Sequence, residues 1–392
     1  MSHPRHRLPN LRARLIAIVS IILVGLIAVG AYCWFRPLPA AQLTSSVVGT
    51  SPGIAYSLPL PTVGSSAVAV DGIGLVAGHD VDAPIATASI AKVLLALCVL
   101  EKAPLRAGQQ GRIFTISTDD IVIYNDALTR NASTLGVISG EKLTEYQLLQ
   151  ALMIPSADNI ADSLARWYFG SHAAYAAYAA TWLKAHGLTH TVIGNDASGL
   201  HVGTVSTARD LVSLGLIAMR NPVLASIAGQ KGATFPVVGF KVNYNTALGL
   251  GGITGFKTGN NSGNHGALLF TSTVEVGGRH VGISAVILGQ PDLATALAAA
   301  PPVMAAARRG VRLETVVAAG TVGRSTTAWG TSSVATMSTP LTVLRWIGSA
   351  MTVSLDQSGP WLVASSGASS ARVQVTMPTP AGPSFWWRLL RR

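Results

Sequence analysis

Residues 89–102 read SIAKVLLALCVLEK, a stretch that sets a serine and a lysine at the start of a long apolar run. The run predicts a helix, on which Ser89 and Lys92 lie on one face at positions i and i+3. A serine hydroxyl is a weak nucleophile until a neighbouring base removes its proton. Lys92 can be that base if burial and a second cation keep its amine neutral. The helix N-terminus beneath Ser89 also favours developing negative charge. An ordinary helix cap shows the same pattern.

A second motif, Ser156-Ala157-Asp158-Asn159, follows a helix whose start is predicted by the capping box of Thr144 and Gln147. The helix is expected to end before Pro155, because proline disfavours helical geometry in the preceding residue. Ser156 then lies on a tight loop before another helix, where its hydroxyl can relay a proton. The simpler interpretation is an N-cap for that second helix.

A third motif, Lys257-Thr258-Gly259, stands within GGITGFKTGNNSG, residues 251–263. A lysine and a hydroxyl at a strand end can bind a carboxylate while the strand edge pairs with a peptide. Gly259 would let the substrate approach the main chain closely, since glycine has no Cβ. Taken alone, the motif is also typical of a surface turn.

Together the three motifs resemble those of the D-alanyl-D-alanine carboxypeptidase family of penicillin-binding proteins. The likeness extends to the segments 196–201 (DASGLH) and 206–210 (STARD), and to residues 243–245 before the third motif. It covers roughly residues 65–310. The resemblance implies an α+β fold: a β-lactamase/transpeptidase-like sheet flanked by helices, with a small all-β C-terminal domain.

The resemblance also implies the activity, which is removal of the terminal D-alanine from peptidoglycan stem peptides through a serine acyl-enzyme. No cofactor and no metal are implied, and β-lactams are expected to trap the same serine. The oxyanion of the intermediate would be held by two main-chain N–H groups. The implied roles are nucleophile for Ser89, general base for Lys92, proton relay for Ser156, substrate binding for Lys257, Thr258 and Gly259, and oxyanion hole for Ser89 and Asn260.

One position departs from the family pattern, whose second motif is Ser-x-Asn. Here the third residue is Asp158, and the asparagine, Asn159, comes one place later. Either Asp158 lies at the substrate-binding position and pairs with Lys92 or Lys257, or the loop shifts and Asn159 supplies the amide. The departure supports an alternative function, a wall-binding scaffold that has lost turnover.

Other enzyme classes fit less well. A class A β-lactamase needs a glutamate-bound water for deacylation, and no glutamate occurs between Ser156 and Val274. His186 and His190 have the spacing of metal ligands but no carboxylate nearby, so a zinc site is not expected. The glycine-rich run 249–255 leads into a predicted strand rather than a helix, which favours a turn over a dinucleotide loop.

The net charge of +11 is concentrated at the chain ends, at Arg5, Arg7, Arg12, Arg14, Arg388, Arg391 and Arg392. Basic ends favour contact with an anionic membrane over nucleic acid. Residues 15–35 are free of charge and long enough to cross about 30 Å of hydrocarbon. Arginines before this run predict the N-terminus inside and the catalytic part outside the cytoplasmic membrane. A cleaved signal peptide is the alternative.

The sequence predicts six consecutive regions. The last carries FWWRLLRR, which fits either an interfacial membrane contact or a frayed basic tail. The expected regions are a cytoplasmic basic segment (1–14), a transmembrane anchor (15–35), a Pro/Ser-rich spacer (36–64), a serine peptidase domain (65–308), a β-rich domain (309–377) and a basic aromatic tail (378–392).

Overall fold

The computed structural model describes residues 11–261, 264–356 and 358–391, with the main chain alone at 264 and 265. The first ten residues of the predicted cytoplasmic segment lie outside the described residues. The N-terminal elements are α1 (Leu11–Phe35), β1 (Gln42–Ser45) and β2 (Gly49–Ser51). The central elements are β3 (Ser65–Val70), β4 (Gly74–His79), β5 (Ile85–Ala86), α2 (Ala91–Lys102), β6 (Ile113–Thr115), α3 (Thr118–Thr129), β7 (Lys142–Thr144), α4 (Glu145–Met153), α5 (Asp158–Phe169), α6 (His172–Ala185), β8 (Val205–Ser206), α7 (Ala208–Arg220), α8 (Pro222–Ala228), β9 (Gly232–Phe235), β10 (Gly239–Val242), β11 (Gly255–Asn261), β12 (Asn264–Val276), β13 (Arg279–Gln290) and α9 (Leu293–Gly310). The C-terminal elements are β14 (Val311–Val317), β15 (Gly320–Thr326), β16 (Ser332–Met337), β17 (Leu341–Trp346), β18 (Met351–Asp356), β19 (Trp361–Ser366), β20 (Ser369–Gln374) and α10 (Phe385–Leu390).

A five-stranded antiparallel sheet of order β11-β12-β13-β3-β4 forms the centre of the chain. Strand β3 alternates between two cores, because Ala67 and Ala69 face the large helical core while Val68 and Val70 face the core beneath α9. Helix α7 packs on one face of the sheet and α9 on the other. The predicted α+β arrangement, a sheet flanked by helices, is confirmed.

Helix α2 forms the middle of the helical part. Its residues 91–100 are all buried, and α4, α5, α6 and α7 surround it. A helix that is apolar on every side is stable only when other elements cover all of it. The run VLLALCVL therefore fixes α2 at the centre and leaves its N-terminal end, with Ser89, at the edge of the sheet.

The segment 36–64 was predicted to be an extended spacer, but part of it forms paired strands. Strand β1 pairs with β15, and β2 pairs with β18, so this segment completes two of the C-terminal sheets. Tyr56 packs edge-on against Trp346 with ring centres 5.4 Å apart, and its hydroxyl donates to the Ala306 carbonyl. Proline, serine and threonine are compatible with short edge strands, and only a distant partner strand decides that they pair.

The first and last helices of the chain, α1 and α10, contact each other. Helix α1 is long and apolar enough to cross a membrane, and none of its residues is buried. Helix α10 lies against its C-terminal end, where Arg388 donates to the Trp34 carbonyl at 2.7 Å. Arg391 donates to the Arg36 carbonyl at 2.6 Å. The tail is therefore a helix docked on α1 rather than a frayed end.

Candidate active site

Ser89 lies in a single 3-10 turn, Ala88–Ile90, that leads directly into α2. Ala88 has a φ of 47°, a strained value for alanine that the surrounding packing must hold in place. The Lys92 ammonium nitrogen Nζ lies 2.6 Å from Ser89 Oγ. The i, i+3 spacing therefore brings the predicted nucleophile and its partner into direct hydrogen-bond contact.

Lys92 is fully buried and has three acceptors around Nζ. These are Ser89 Oγ, one carboxylate oxygen of Asp158, and the Ser198 carbonyl at 3.2 Å. These three contacts equal in number the N–H donors that a lysine ammonium carries. The pairing of Asp158 with Lys92 is one of the arrangements that the sequence left open.

Ser156 lies on the loop between α4 and α5 with a φ of 61° and is buried. The capping box of Thr144 and Gln147 is present at the start of α4, as predicted. Helix α5 takes Ala157 as its N-cap, with no side-chain cap. Ser156 is therefore not the helix cap that the simpler interpretation required, which leaves its hydroxyl for another role.

The structure decides between the two arrangements of the second motif. Asp158 reaches Lys92, whereas Asn159 turns away and bonds to both the N–H and the C=O of Leu135, each at 3.0 Å. The predicted role of Asn159 in substrate binding stays a prediction, and in this structure its amide is occupied by Leu135. Its amide instead ties α5 to the segment after α3, because a buried amide needs both kinds of partner.

The third motif lies on β11, an edge strand of the central sheet. Lys257 is buried, and its Nζ lies 3.2 Å from the Thr258 carbonyl and 3.4 Å from Thr258 Oγ1. Burial, followed by the charge of Lys92, holds the pKa of Lys257 well below its ordinary value, while Asp158 opposes the shift. Lys92 and Lys257 are thus electrostatic neighbours.

Gly259 brings β11 against the Ser89 turn. A Cβ at this position would lie 3.1 Å from the Thr87 carbonyl and 3.3 Å from Ala88 Cβ. A side chain here would crowd these atoms, so glycine favours the close approach of the strand. Asn260 follows at the mouth of the site and lines the same cavity as Ser89 and Asp158.

That cavity has a volume of about 1230 Å³ and starts at Ser89. Such a volume accepts a peptide rather than a single small ion. Its other walls come from the end of α3, one face of α5, the start of α6 and the loop before β8.

The sequence profile of the D-alanyl-D-alanine carboxypeptidase family matches residues 63–291. This chain belongs to that family. The match includes all the residues of the three motifs and stops before the C-terminal sheets.

Known family members resemble the chain over different shares of its length. D-alanyl-D-alanine carboxypeptidase DacB2 of Mycobacterium tuberculosis is 33% identical over 166 residues, 41% of this chain and 52% of DacB2. The chain thus spans about half the length of that relative. A crystal structure of a D-alanyl-D-alanine carboxypeptidase from Mycobacterium tuberculosis H37Rv is 26% identical, with a TM-score of 0.54, and covers 65% of this chain and 95% of its own. The Streptomyces K15 DD-transpeptidase structure is 24% identical, with a TM-score of 0.57, over 64% and 98%.

In this family member the loop 196–204 supplies contacts that sequence reasoning missed. Asp196 accepts hydrogen bonds from the N–H groups of Leu200 and His201 and from the Thr204 hydroxyl. Burial alone would raise the pKa of Asp196, but these hydrogen bonds outweigh it and hold the pKa below its ordinary value. The resulting loop presents the Ser198 carbonyl to Lys92. The likeness of the DASGLH segment to the family marked this loop in the sequence. The sequence does not show, however, that the main-chain carbonyl of Ser198 contacts Lys92.

The two histidines considered as zinc ligands have other partners. His186 stacks on Trp182 with ring centres 3.8 Å apart, and its Nδ1 lies 2.8 Å from the Trp182 carbonyl. The main-chain N–H of His190 donates to Asp210. The glycine-rich run forms a turn, Leu250–Gly252, before β11, as the sequence predicted.

Proposed function

We propose that this chain is a serine-type D-alanyl-D-alanine carboxypeptidase that removes the terminal D-alanine of peptidoglycan stem peptides. The observation that carries the proposal is the 2.6 Å contact between Lys92 Nζ and Ser89 Oγ at the end of a peptide-sized cavity. Family membership supplies the substrate class, the peptidoglycan stem peptide, and predicts that β-lactams acylate the same serine. The assignment of individual roles to residues below is part of the proposal.

In the first step Ser89 Oγ attacks the carbonyl carbon of the penultimate D-alanine, and its proton passes to Lys92. Lys92 accepts this proton as the free amine, and the neighbouring Asp158 carboxylate opposes that form. The developing oxyanion is held by the N–H groups of Ser89 and Asn260. The C–N bond then breaks, Ser156 passes a proton to the leaving amine, and free D-alanine departs.

The substrate's terminal carboxylate is assigned to Thr258 and the charge of Lys257. Binding of this anion restores the positive charge that burial disfavours on Lys257, so substrate and lysine stabilise each other. Gly259 and the outer edge of β11 accept the peptide main chain. Water then attacks the acyl-enzyme carbonyl and releases the shortened peptide and Ser89.

We propose that α1 is retained as a membrane anchor, with the N-terminus inside and the catalytic part outside the cytoplasmic membrane. A signal sequence near the N-terminus has the same length and composition. The contacts of Arg388 with the Trp34 carbonyl and of Arg391 with the Cys33 carbonyl favour retention, because removal of α1 would remove these acceptors. Trp34 and the aromatic residues of α10 are then at the height of the lipid headgroups.

A second candidate, a wall-binding scaffold without turnover, is favoured by the Lys92–Asp158 pair alone. A fluorescent penicillin and a D-alanine-terminated pentapeptide separate the two functions. The carboxypeptidase is expected to take up the penicillin covalently, to lose the label in Ser89→Ala, and to release D-alanine from the pentapeptide. Labelling without release of D-alanine would support the scaffold, and labelling that survives in Ser89→Ala would refute the proposed nucleophile.

A further inference from the structure

The second motif leaves a bound peptide without the amide donor that the family pattern provides. Asp158 pairs with Lys92, and an ionised carboxylate has no N–H or O–H to donate. Asn159 is buried, bonds to Leu135 and does not line the cavity. A peptide carbonyl that enters the cavity loses its water, and an acceptor left unpaired there is costly. A donor beside Asp158 would remove this cost.

Ser133 lies directly beside the second motif. Its carbonyl accepts a hydrogen bond of 2.7 Å from the main-chain N–H of Asp158. Two residues further on, the N–H and the C=O of Leu135 both bond to the Asn159 side chain. These hydrogen bonds fix the segment 133–135 against the start of α5. The main chain therefore sets the position of Ser133 relative to Asp158.

The Ser133 side chain is available to a ligand. Ser133 is half-buried and lines the same cavity as Ser89 and Asp158. Within residues 11–261, 264–356 and 358–391, its hydroxyl makes no hydrogen bond. A serine hydroxyl donates one hydrogen bond and rotates to suit its acceptor. Ser133 thus offers a neutral donor next to the carboxylate that cannot donate.

We propose that Ser133 is a substrate-binding residue whose hydroxyl donates to the main-chain carbonyl just before the D-Ala-D-Ala pair. It takes the place of the amide that Asp158 does not offer. The inference rests on the proposed function, because it takes the stem peptide as the ligand. It gives a chain with aspartate in the second motif a donor for the acyl side of the substrate.

Two penicillins separate this contact from the rest of the site. Benzylpenicillin has an amide carbonyl next to its β-lactam ring, and 6-aminopenicillanic acid has an amine there instead. The rate at which each compound acylates Ser89 is measured from the mass of the intact protein over time.

Ser133→Ala is expected to react about tenfold more slowly with benzylpenicillin, since one hydrogen bond is lost. With 6-aminopenicillanic acid it is expected to react at the parent rate, because that compound lacks the acceptor. An equal loss with both compounds would show that Ser133 is only structural. An unchanged rate with both would also refute the contact.

The same change in Asp158→Asn tests whether Ser133 replaces the missing amide. The new amide restores a donor, so Ser133→Ala is expected to slow benzylpenicillin there by about twofold or less. A tenfold loss in both backgrounds would refute the replacement. If Asp158→Asn does not fold, the comparison of the two penicillins still decides the proposal.

Asn131→Gly is the matched control. Asn131 belongs to the same loop and lines the cavity, but in the described part of the chain no hydrogen bond joins it to the second motif. Its φ of 52° suits glycine, so the change removes the amide and keeps the loop. Both penicillins are expected to react at the parent rate. A slower reaction with benzylpenicillin in Asn131→Gly, and not in Ser133→Ala, would assign the donor to Asn131 instead.

Release of D-alanine from a pentapeptide by the unmodified protein tests the proposed function separately. Acylation without this release would contradict the carboxypeptidase, while the two penicillins would still decide the role of Ser133. A failure of both penicillins to acylate the protein would refute Ser89 as the nucleophile and the Ser133 contact with it.

Discussion

Asp158 is the residue that most distinguishes this chemistry from the family pattern. It is buried next to Lys92 and close to Lys257, so one carboxylate faces two lysines. Removing one partner of a buried pair leaves an unfavourable buried charge, which the remaining group avoids by changing its protonation. Aspartate in place of the family's asparagine therefore changes the charges around the two lysines. It leaves the nucleophile, Ser89, unchanged.

Asp158→Asn is expected to accelerate acylation of Ser89 by penicillin at neutral pH by about tenfold, which corresponds to a barrier lower by about 1.4 kcal/mol. An amide still accepts a hydrogen bond from Lys92 but does not stabilise its positive charge. The measurement is the rate of covalent labelling against pH, with Asp210→Asn as a control for loss of a buried carboxylate. A large loss of rate would instead show that the carboxylate is itself required to carry the proton.

At the scale of the elements, the loop 196–204 packs against the turn that carries Ser89. Gly199 has a φ of 87°, and a Cβ there would lie 1.9 Å from the Ala88 carbonyl. The loop can therefore reach Lys92 only because this position lacks a side chain. Asn261 donates to the Gly199 carbonyl at 3.3 Å, which also joins the loop to β11.

Gly199→Ala is expected to displace the Ser89 turn and to lower penicillin labelling at least tenfold, since it moves the nucleophile and the Ser198 carbonyl together. Gly187→Ala is the matched control. Gly187 has a similar φ of 72° but nothing within 4 Å of the added Cβ, so it should cost about 1 kcal/mol of stability and leave labelling unchanged. Equal labelling by the two variants would contradict the steric argument.

Helices α5 and α6 are joined by Asp162 and His172. The hydrogen bond that His172 donates to Asp162 raises the pKa of His172, and burial opposes this. The charges of Asp162 and Asp196 raise the pKa further, while that of Arg130 lowers it. A group whose pKa is raised on folding stabilises the fold fully below its ordinary pKa. That contribution disappears as the pH rises through the raised value.

The free energy of unfolding is therefore expected to fall, relative to His172→Gln, between the ordinary histidine pKa of about 6.5 and a somewhat higher pH. Because His172 is about one third exposed, the difference should stay below about 1 kcal/mol. Urea unfolding from pH 5.5 to pH 8.5 measures it. Parallel curves for the two proteins would show that the pair does not stabilise the fold.

At the scale of the whole molecule, the first and last helices, α1 and α10, lie against each other. The segment after α1 supplies β1 and β2 to the C-terminal sheets, and α10 returns to cover the end of α1. The last carbonyls of a helix have no partner within the helix. Here Arg391 contacts the Cys33 carbonyl in the last turn of α1 and the carbonyls of Arg36 and Pro37 just after it. This contact fixes the C-terminal domain close to the proposed membrane surface.

Arg391→Gln is expected to speed hydrogen exchange at residues 34–38 of the full-length protein in detergent, because the end of α1 loses its cap. Arg372→Gln serves as the control, since Arg372 stacks on Trp361 away from α1. Exchange measured by mass spectrometry should be unchanged around β20 in Arg391→Gln. An identical exchange rate at 34–38 in both variants would show that α10 does not protect α1.

The sequence by itself determined those features that depend on neighbours along the chain. The contact of Ser89 with Lys92 follows from helical spacing, and the start of α4 follows from the capping box of Thr144 with Gln147. The hairpin of β3 and β4 around its glycines and the apolar helix α1 were likewise predictable, because a local pattern encodes each of them.

Only the tertiary structure decided which distant groups meet. The choice between Asp158 and Asn159 depends on where Leu135 and Lys92 lie, and the strands within 36–64 depend on β15 and β18. The contact of Ser133 with Asp158 exists because the segment after α3 packs against the start of α5. Such contacts join residues far apart in the chain, so their geometry is set by the packing of the whole core and not by any local run of residues.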